Sequence, residues 1–104
     1  DGTLPLIQLA PEWDKTFSGY QVDDQRGFFD VALPPEVFEK LTKGIMAQVN
    51  RAAESGTFPA LVTSTQRRRF LRTVLRAKGL NTPVLSYDEI GIDARPAIIG
   101  QVAA

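Results

Sequence analysis

The sequence contains no cysteine and no histidine. Without cysteine it forms no disulfide, no thiolate metal site and no cysteine nucleophile. Without histidine it lacks a Ser-His-Asp triad, the usual zinc ligands and the commonest general base. Most enzyme classes are removed at once, so the chain reads as non-enzymatic, with no cofactor and no metal. An excess of charge is missing too. Twelve basic residues balance twelve acidic ones, whereas a surface built for nucleic acid normally carries a basic excess. No apolar run approaches the ~20 residues that span a bilayer, and no signal peptide is visible. The chain starts at Asp1 rather than methionine. We read it as a piece of a longer protein whose remainder holds membrane segments or other domains.

What is present suits a single domain. The 104 residues are 43% apolar and 23% charged, ordinary values for a globular chain able to bury one core. Leu4–Pro11 alternates apolar residues and ends at proline, which predicts a strand. Glu12–Phe17 suits a short helix, with Trp13 and Phe17 one turn apart. Ser18–Gly27 is polar and turn-rich and reads as a loop, the segment most prone to disorder. Phe28–Pro34 reads as a second strand with Phe29, Val31 and Leu33 on one face.

The plainest element is Pro35–Glu54. Phe38, Leu41, Ile45, Val49 and Ala52 recur at helical spacing, Pro35 suits the first position, and Gly56 closes it. Its opposite face carries Lys40, Lys43 and Arg51, a solvated surface. Phe58–Ser64 is short and continuously apolar, as for a buried central strand. A helix follows over Thr65–Lys78, then strands over Thr82–Tyr87 and Arg95–Val102, with a loop or single turn at "DEIGID". The expected fold is therefore α/β or α+β, in two layers: a mixed sheet of four or five strands with three helices. Within it, residues 58–87 form a right-handed β-α-β unit.

The helix "STQRRRFLRTVLRAKG" breaks a local rule. Arg67, Arg68 and Arg69 stand in its first turn, where the helix dipole disfavours cations by ~0.3–1 kcal/mol each. At 100° per residue, Phe70, Leu71, Val74 and Leu75 share the arc that faces the sheet. Arg68, Arg72 and Arg76 align outside with Arg69 beside them, and Arg67 points to the leading edge of the apolar arc, where it must snorkel or find a partner. In a β-α-β unit the amino end of the helix shares an edge with the carboxyl ends of both strands. Asp88 or Glu89 is therefore expected to approach Arg67 or Arg68 and offset the dipole. Arg69, Arg72 and Arg76 remain as a possible protein-interface ridge. Nucleic-acid binding is set against the neutral charge, and a phosphate cradle against "TSTQRRR", which has no glycine-rich loop.

Three carboxylate pairs, Glu12 with Asp14, Asp23 with Asp24 and Asp88 with Glu89, have the chemistry to hold magnesium, although neighbouring loop carboxylates are usually only solvated. Trp13 and Tyr20 could mark a ligand site, with Trp13 beside Phe17 as a core anchor the plainer reading.

The pattern "PALVTSTQRRRFLRTVLRAKGLNTPVLSYDEI…ARPAIIGQV" resembles the carboxyl-terminal end of the FlhA family, the export-gate proteins of flagellar and virulence type III secretion systems. The resemblance rests on the strand ending Thr63-Ser64, Arg68, the "FLR" of Phe70–Arg72, "VLSYDEI" and the closing "IIGQV". Upstream, "LPLIQLAPEW" resembles the family's "PEWE" segment with Asp14 for the second glutamate, and "LPP" resembles the start of its long helix. The family commonly has proline at the positions of Thr65 and Arg69, so the richer arginine run belongs to this chain. The resemblance implies a membrane part followed by a cytoplasmic part of four subdomains that assembles into a ring, typically nonameric. This chain would be the last subdomain, on the cytoplasmic side of a bacterial inner membrane. The ring would serve as a docking platform for export substrates and chaperones. Its partners would be the protein's other subdomains, export substrates, chaperones and other export-apparatus proteins, with no nucleic acid and no membrane contact by this fragment. The "PEWD" segment leans flagellar. The alternative is a small regulatory domain that binds nucleic acid or an acidic ligand through Arg67–Arg76.

Overall fold

The computed structural model describes residues 2–23 and 29–104. In chain order these form β1 (Leu4–Leu9), α1 (Glu12–Gly19), β2 (Gln21–Asp23), β3 (Phe29–Val31), α2 (Pro35–Glu54), β4 (Ala60–Thr63), α3 (Thr65–Ala77), β5 (Val84–Ser86) and β6 (Pro96–Val102). Two short 3-10 turns, Tyr87–Glu89 and Ile92–Ala94, link β5 to β6.

The fold is α/β, with three helices against a four-stranded sheet ordered β5-β4-β1-β6. The main sheet is parallel at every pairing rather than mixed. The strand expected over residues 28–34 is not in it. Of its described residues only Phe29–Val31, β3, are strand, and they pair antiparallel with β2 in a separate two-stranded sheet, Gln21 opposite Val31. The polar segment expected as a loop over Ser18–Gly27 thus supplies a strand at Gln21–Asp23.

Period-two alternation divides the sheet's side chains between two faces. Ile7, Leu61, Val84 and Val102 face the helices and join Leu41, Ile45, Leu71, Val74 and Leu75 in the main core. Leu6, Ala60 and Val62 point the other way, where Leu4, Leu85 and Ile90 partly cover them. All four residues of β4 are buried, as two-sided burial requires of a central parallel strand. Phe58, taken from the sequence as the first residue of that strand, lies ahead of it and is 81% exposed.

Both long helices stop on a glycine in the left-handed region, Gly56 at φ 75° and Gly79 at φ 70°. After α2, Thr57 N–H reaches the Ala52 carbonyl and Gly56 N–H that of Ala53; after α3, Leu80 and Gly79 do the same to Leu75 and Arg76. These are Schellman closures, which leave few end carbonyls unpaired. The second of them folds Leu80 back onto the core.

Candidate functional site

The helix α3 follows β4 directly, so its amino end opens at the carboxyl edge of the sheet. Ser64 occupies the N-cap position with extended backbone, but its side chain makes no capping hydrogen bond. Carboxylates stand there instead. Thr65 Oγ1 donates to Asp88 Oδ2 at 2.7 Å. Arg68 Nε lies 2.7 Å from Glu89 Oε1 and donates to the Val84 carbonyl at 3.1 Å. Ser86 N–H also donates to Glu89 Oε1, at 2.8 Å, closing a capping box over the 3-10 turn. Two negative charges thereby face the positive end of α3.

Arg67 goes elsewhere. It is 3% exposed and pairs across the fold with Asp14, Nε to Oδ1 3.3 Å, rather than with Asp88 or Glu89. Its NH1 donates to Gln21 Oε1 at 2.8 Å and its NH2 to Ser18 Oγ at 3.0 Å. The guanidinium carbon sits 5.9 Å from the centre of the Phe17 ring, and that ring stacks on Trp13 and meets Phe70 edge-on. One arginine of α3 therefore ties α1 and the β2–β3 pair to the second half of the chain, through three partners 46 to 53 residues upstream. Sequence reasoning missed Asp14, Ser18 and Gln21 as its partners. The available signal was that α1 follows β1, whose carboxyl end lies beside that of β4 once the strands are neighbours.

The remaining arginines stand outside. Arg69, Arg72 and Arg76 are exposed. Arg69 stands at a groove of about 570 Å³ whose apolar lining includes Val31, Leu33, Phe38, Phe70 and Val74. At the carboxyl end of α3, Lys78 Nζ bonds Glu39 Oε1 at 2.8 Å and lies 5.6 Å from the Phe38 ring centre. This bond holds the Glu39 carboxyl below its ordinary value.

The other candidates resolve into structure. Trp13 is buried and donates its indole N–H to the Ala103 carbonyl at 3.1 Å, while Tyr20 is exposed. Asp14 is paired with Arg67, whereas Glu12 is an exposed residue of the first turn of α1. Asp24 and the side chain of Asp23 lie outside the described residues. Among the described residues, no three acidic side chains converge as a metal site would need. No helix among them is long and apolar enough to cross a membrane.

Glu89 gives a test of this edge. Ser86 N–H is the chief cause holding its carboxyl below 4.5, the Arg68 charge adds to it, and desolvation opposes both. A folded value below the unfolded one contributes stability that is complete above the unfolded value and is lost as pH falls through the folded one. Replacing Glu89 with glutamine is expected to flatten the acid limb of the stability profile below pH 4.5. Glu39 would still supply part of that limb. Urea melts across pH 2 to 6 giving the same slope for variant and parent would refute the assignment.

The geometry has counterparts among known proteins. A family model described as FHIPEP family matches residues 1–95. Flagellar biosynthesis protein FlhA of Caulobacter vibrioides is 32% identical over 105 residues, an alignment covering 98% of this chain and 14% of that protein. The nonameric SctV-C of EPEC has a similar fold at TM-score 0.79 and 17% identity, over 96% of this chain and 29% of its own. So does a chain of the Chlamydia pneumoniae CdsV and CdsO complex, at TM-score 0.78 and 22% identity, over 98% of this chain and 30% of its own. The chain thus spans only a small part of each relative. With 95 consecutive residues matched and a flagellar relative at 32% identity across almost its whole length, this chain belongs to the FHIPEP family, that of the export-gate protein FlhA.

Proposed function

We propose that the chain is the last cytoplasmic subdomain of a type III protein export gate, of the flagellar kind, anchored in a bacterial inner membrane by parts outside this sequence. Its role is non-enzymatic. As part of a ring it helps form the platform on which export substrates and their chaperones dock. The observation that carries this reading is the match of 98% of this chain to a part of flagellar FlhA, at 32% identity. The shared fold with a nonameric assembly and with a chain solved in complex with CdsO supports a ring and an export-apparatus partner. Within the subdomain, Arg69, Arg72 and Arg76 are assigned to partner contact, because arginine is enriched at protein interfaces. The reading as a nucleic-acid or acidic-ligand module needs Arg67–Arg76 as one patch, and Arg67 is buried while Arg68 is paired.

Deleting these residues from the full-length protein is expected to abolish export while the protein still reaches the membrane. Reversing Arg72 and Arg76 to glutamate is expected to lower export several-fold at unchanged abundance. Secretion of flagellar subunits into the medium measures both. Undiminished export by the deletion would sink the export reading; undiminished export by the double reversal alone would sink the assignment of the ridge.

A further inference from the structure

The strand β6 is the longest of the main sheet, with seven residues, and lies at one edge. Among the described residues only β1 pairs with it. Leu4 N–H donates to the Arg95 carbonyl and Ala10 N–H to that of Val102. Alternation from these two anchors turns the main-chain groups of Ile98 and Gln101 away from β1. Native sheets usually guard such an edge with charge, proline, a bulge or a covering element. Here Pro96 guards the entry and a bulge interrupts the middle, which leaves Ile98 and Gln101 as the open ladder positions. Leu6 pairs with Ile98 and Ile7 with Gly100, so Ile99 is an extra, bulged residue. Ile98 and Ile99 remain 50% and 47% exposed.

The surroundings select what fits there. Gly44 and Gln48 of α2 pack against Val102 and Gly100, so α2 crosses above this edge. A cleft of about 220 Å³ opens beside the bulge, between Ile99 and the Arg51–Ser55 turn of α2. Three exposed cations mark the length of the strand. Arg95 stands at its start, in a left-handed conformation at φ 51°; Arg51 lines the cleft at its middle; Lys40 stands past its end, in a groove formed by Ala104 with Trp13, Thr16 and Tyr20.

We propose that the β6 edge is a docking site for an extended, acidic polypeptide segment, which joins the main sheet as its fifth strand. The main chain of Ile98 and Gln101 supplies the ladder, the cleft at Ile99 takes an apolar side chain, and alternate carboxylates meet Arg51, Lys40 or Arg95. Affinity would come from the ladder and selectivity from the pocket and charges. A second copy of the chain is a poor occupant, because β6 paired with β6 sets like charges against each other. The inference does not depend on the export reading.

The test titrates the isotope-labelled chain with a blocked heptapeptide of alternating valine and glutamate, and with its lysine counterpart. Expected are shifts and slowed hydrogen exchange at the Ile98 and Gln101 amides, with the glutamate peptide preferred by roughly three- to tenfold at low salt. Gln101→Pro removes an outward donor at an edge position that tolerates proline and should abolish binding. Should that variant not fold, Arg51→Glu should weaken binding of the glutamate peptide and shrink its preference over the lysine peptide, and an unchanged preference would overturn the proposal. No shift, shifts confined to α3, equal affinity for both peptides, or self-association that occupies the edge would each overturn the proposal.

Discussion

Replacing Phe17 with alanine is expected to lower the unfolding free energy by about 3–5 kcal/mol, a large share of the ~5–15 kcal/mol that holds a typical domain together. The side chain is 1% exposed. Its ring lies 5.8 Å from Trp13 and 5.2 Å from Phe70, centre to centre. Truncation removes the apolar transfer term, opens a cavity between α1 and α3, and takes the aromatic face from beneath Arg67. Phe17→Leu fills most of that volume and should cost less. Urea unfolding at pH 7 measures both. A loss below about 1 kcal/mol for the alanine variant would mean that the ring is not the centre of packing between these helices.

The second large effect belongs to Arg67, and it separates charge from shape. Stripping one partner from a buried ion pair commonly costs ~3–5 kcal/mol, because the abandoned charge stays buried. Here the Asp14 side chain is 68% exposed, so its carboxylate rehydrates once released. Arg67→Ala should therefore cost less, about 2–3 kcal/mol, from lost stem packing and three lost hydrogen bonds. Arg67→Met, which refills the space without a charge, should come within about 1 kcal/mol of the parent. Arg67→Lys should be worse than methionine, because an ammonium is a point donor that cannot span Asp14, Ser18 and Gln21 together. Methionine as damaging as alanine, or a harmless lysine, would refute this account.

How much of this was legible depends on where each cause sits in the chain. The α2 boundaries predicted from sequence, Pro35 to Glu54, are those of the structure, because a first-position proline, an apolar stripe and a closing glycine are all local. The apolar arc of α3 and the oddity of Arg67 were legible for the same reason. Arg67's partner was not. It depends on β1 lying beside β4, a pairing between segments more than fifty residues apart that no local pattern encodes. The β2–β3 pair was illegible for a different reason. Gln21–Asp23 is three residues long and mostly polar, so its strand conformation comes from its partner rather than from its own periodicity. Phe58 shows the converse error: an apolar residue extended the expected strand past the point where the ladder begins. At the edge site, Lys40 and Arg51 read as a solvated face because nothing in α2 alone says that the edge strand of a sheet runs beneath it.

The position of β1 has a consequence for how the domain is made. This first strand lies inside the sheet, between β4 and the last strand, and Trp13 bonds a carbonyl 90 residues downstream. Pairings that close so long a loop are slow to form. On a ribosome, β1 can take β4 as a neighbour once the middle of the chain has emerged, but its other edge stays open until β6 has emerged as well. Nascent chains halted before Pro96 should therefore be protease-sensitive and prone to aggregate through β1. The sheet would close in one step once β6 is available, rather than by progressive folding from the amino end.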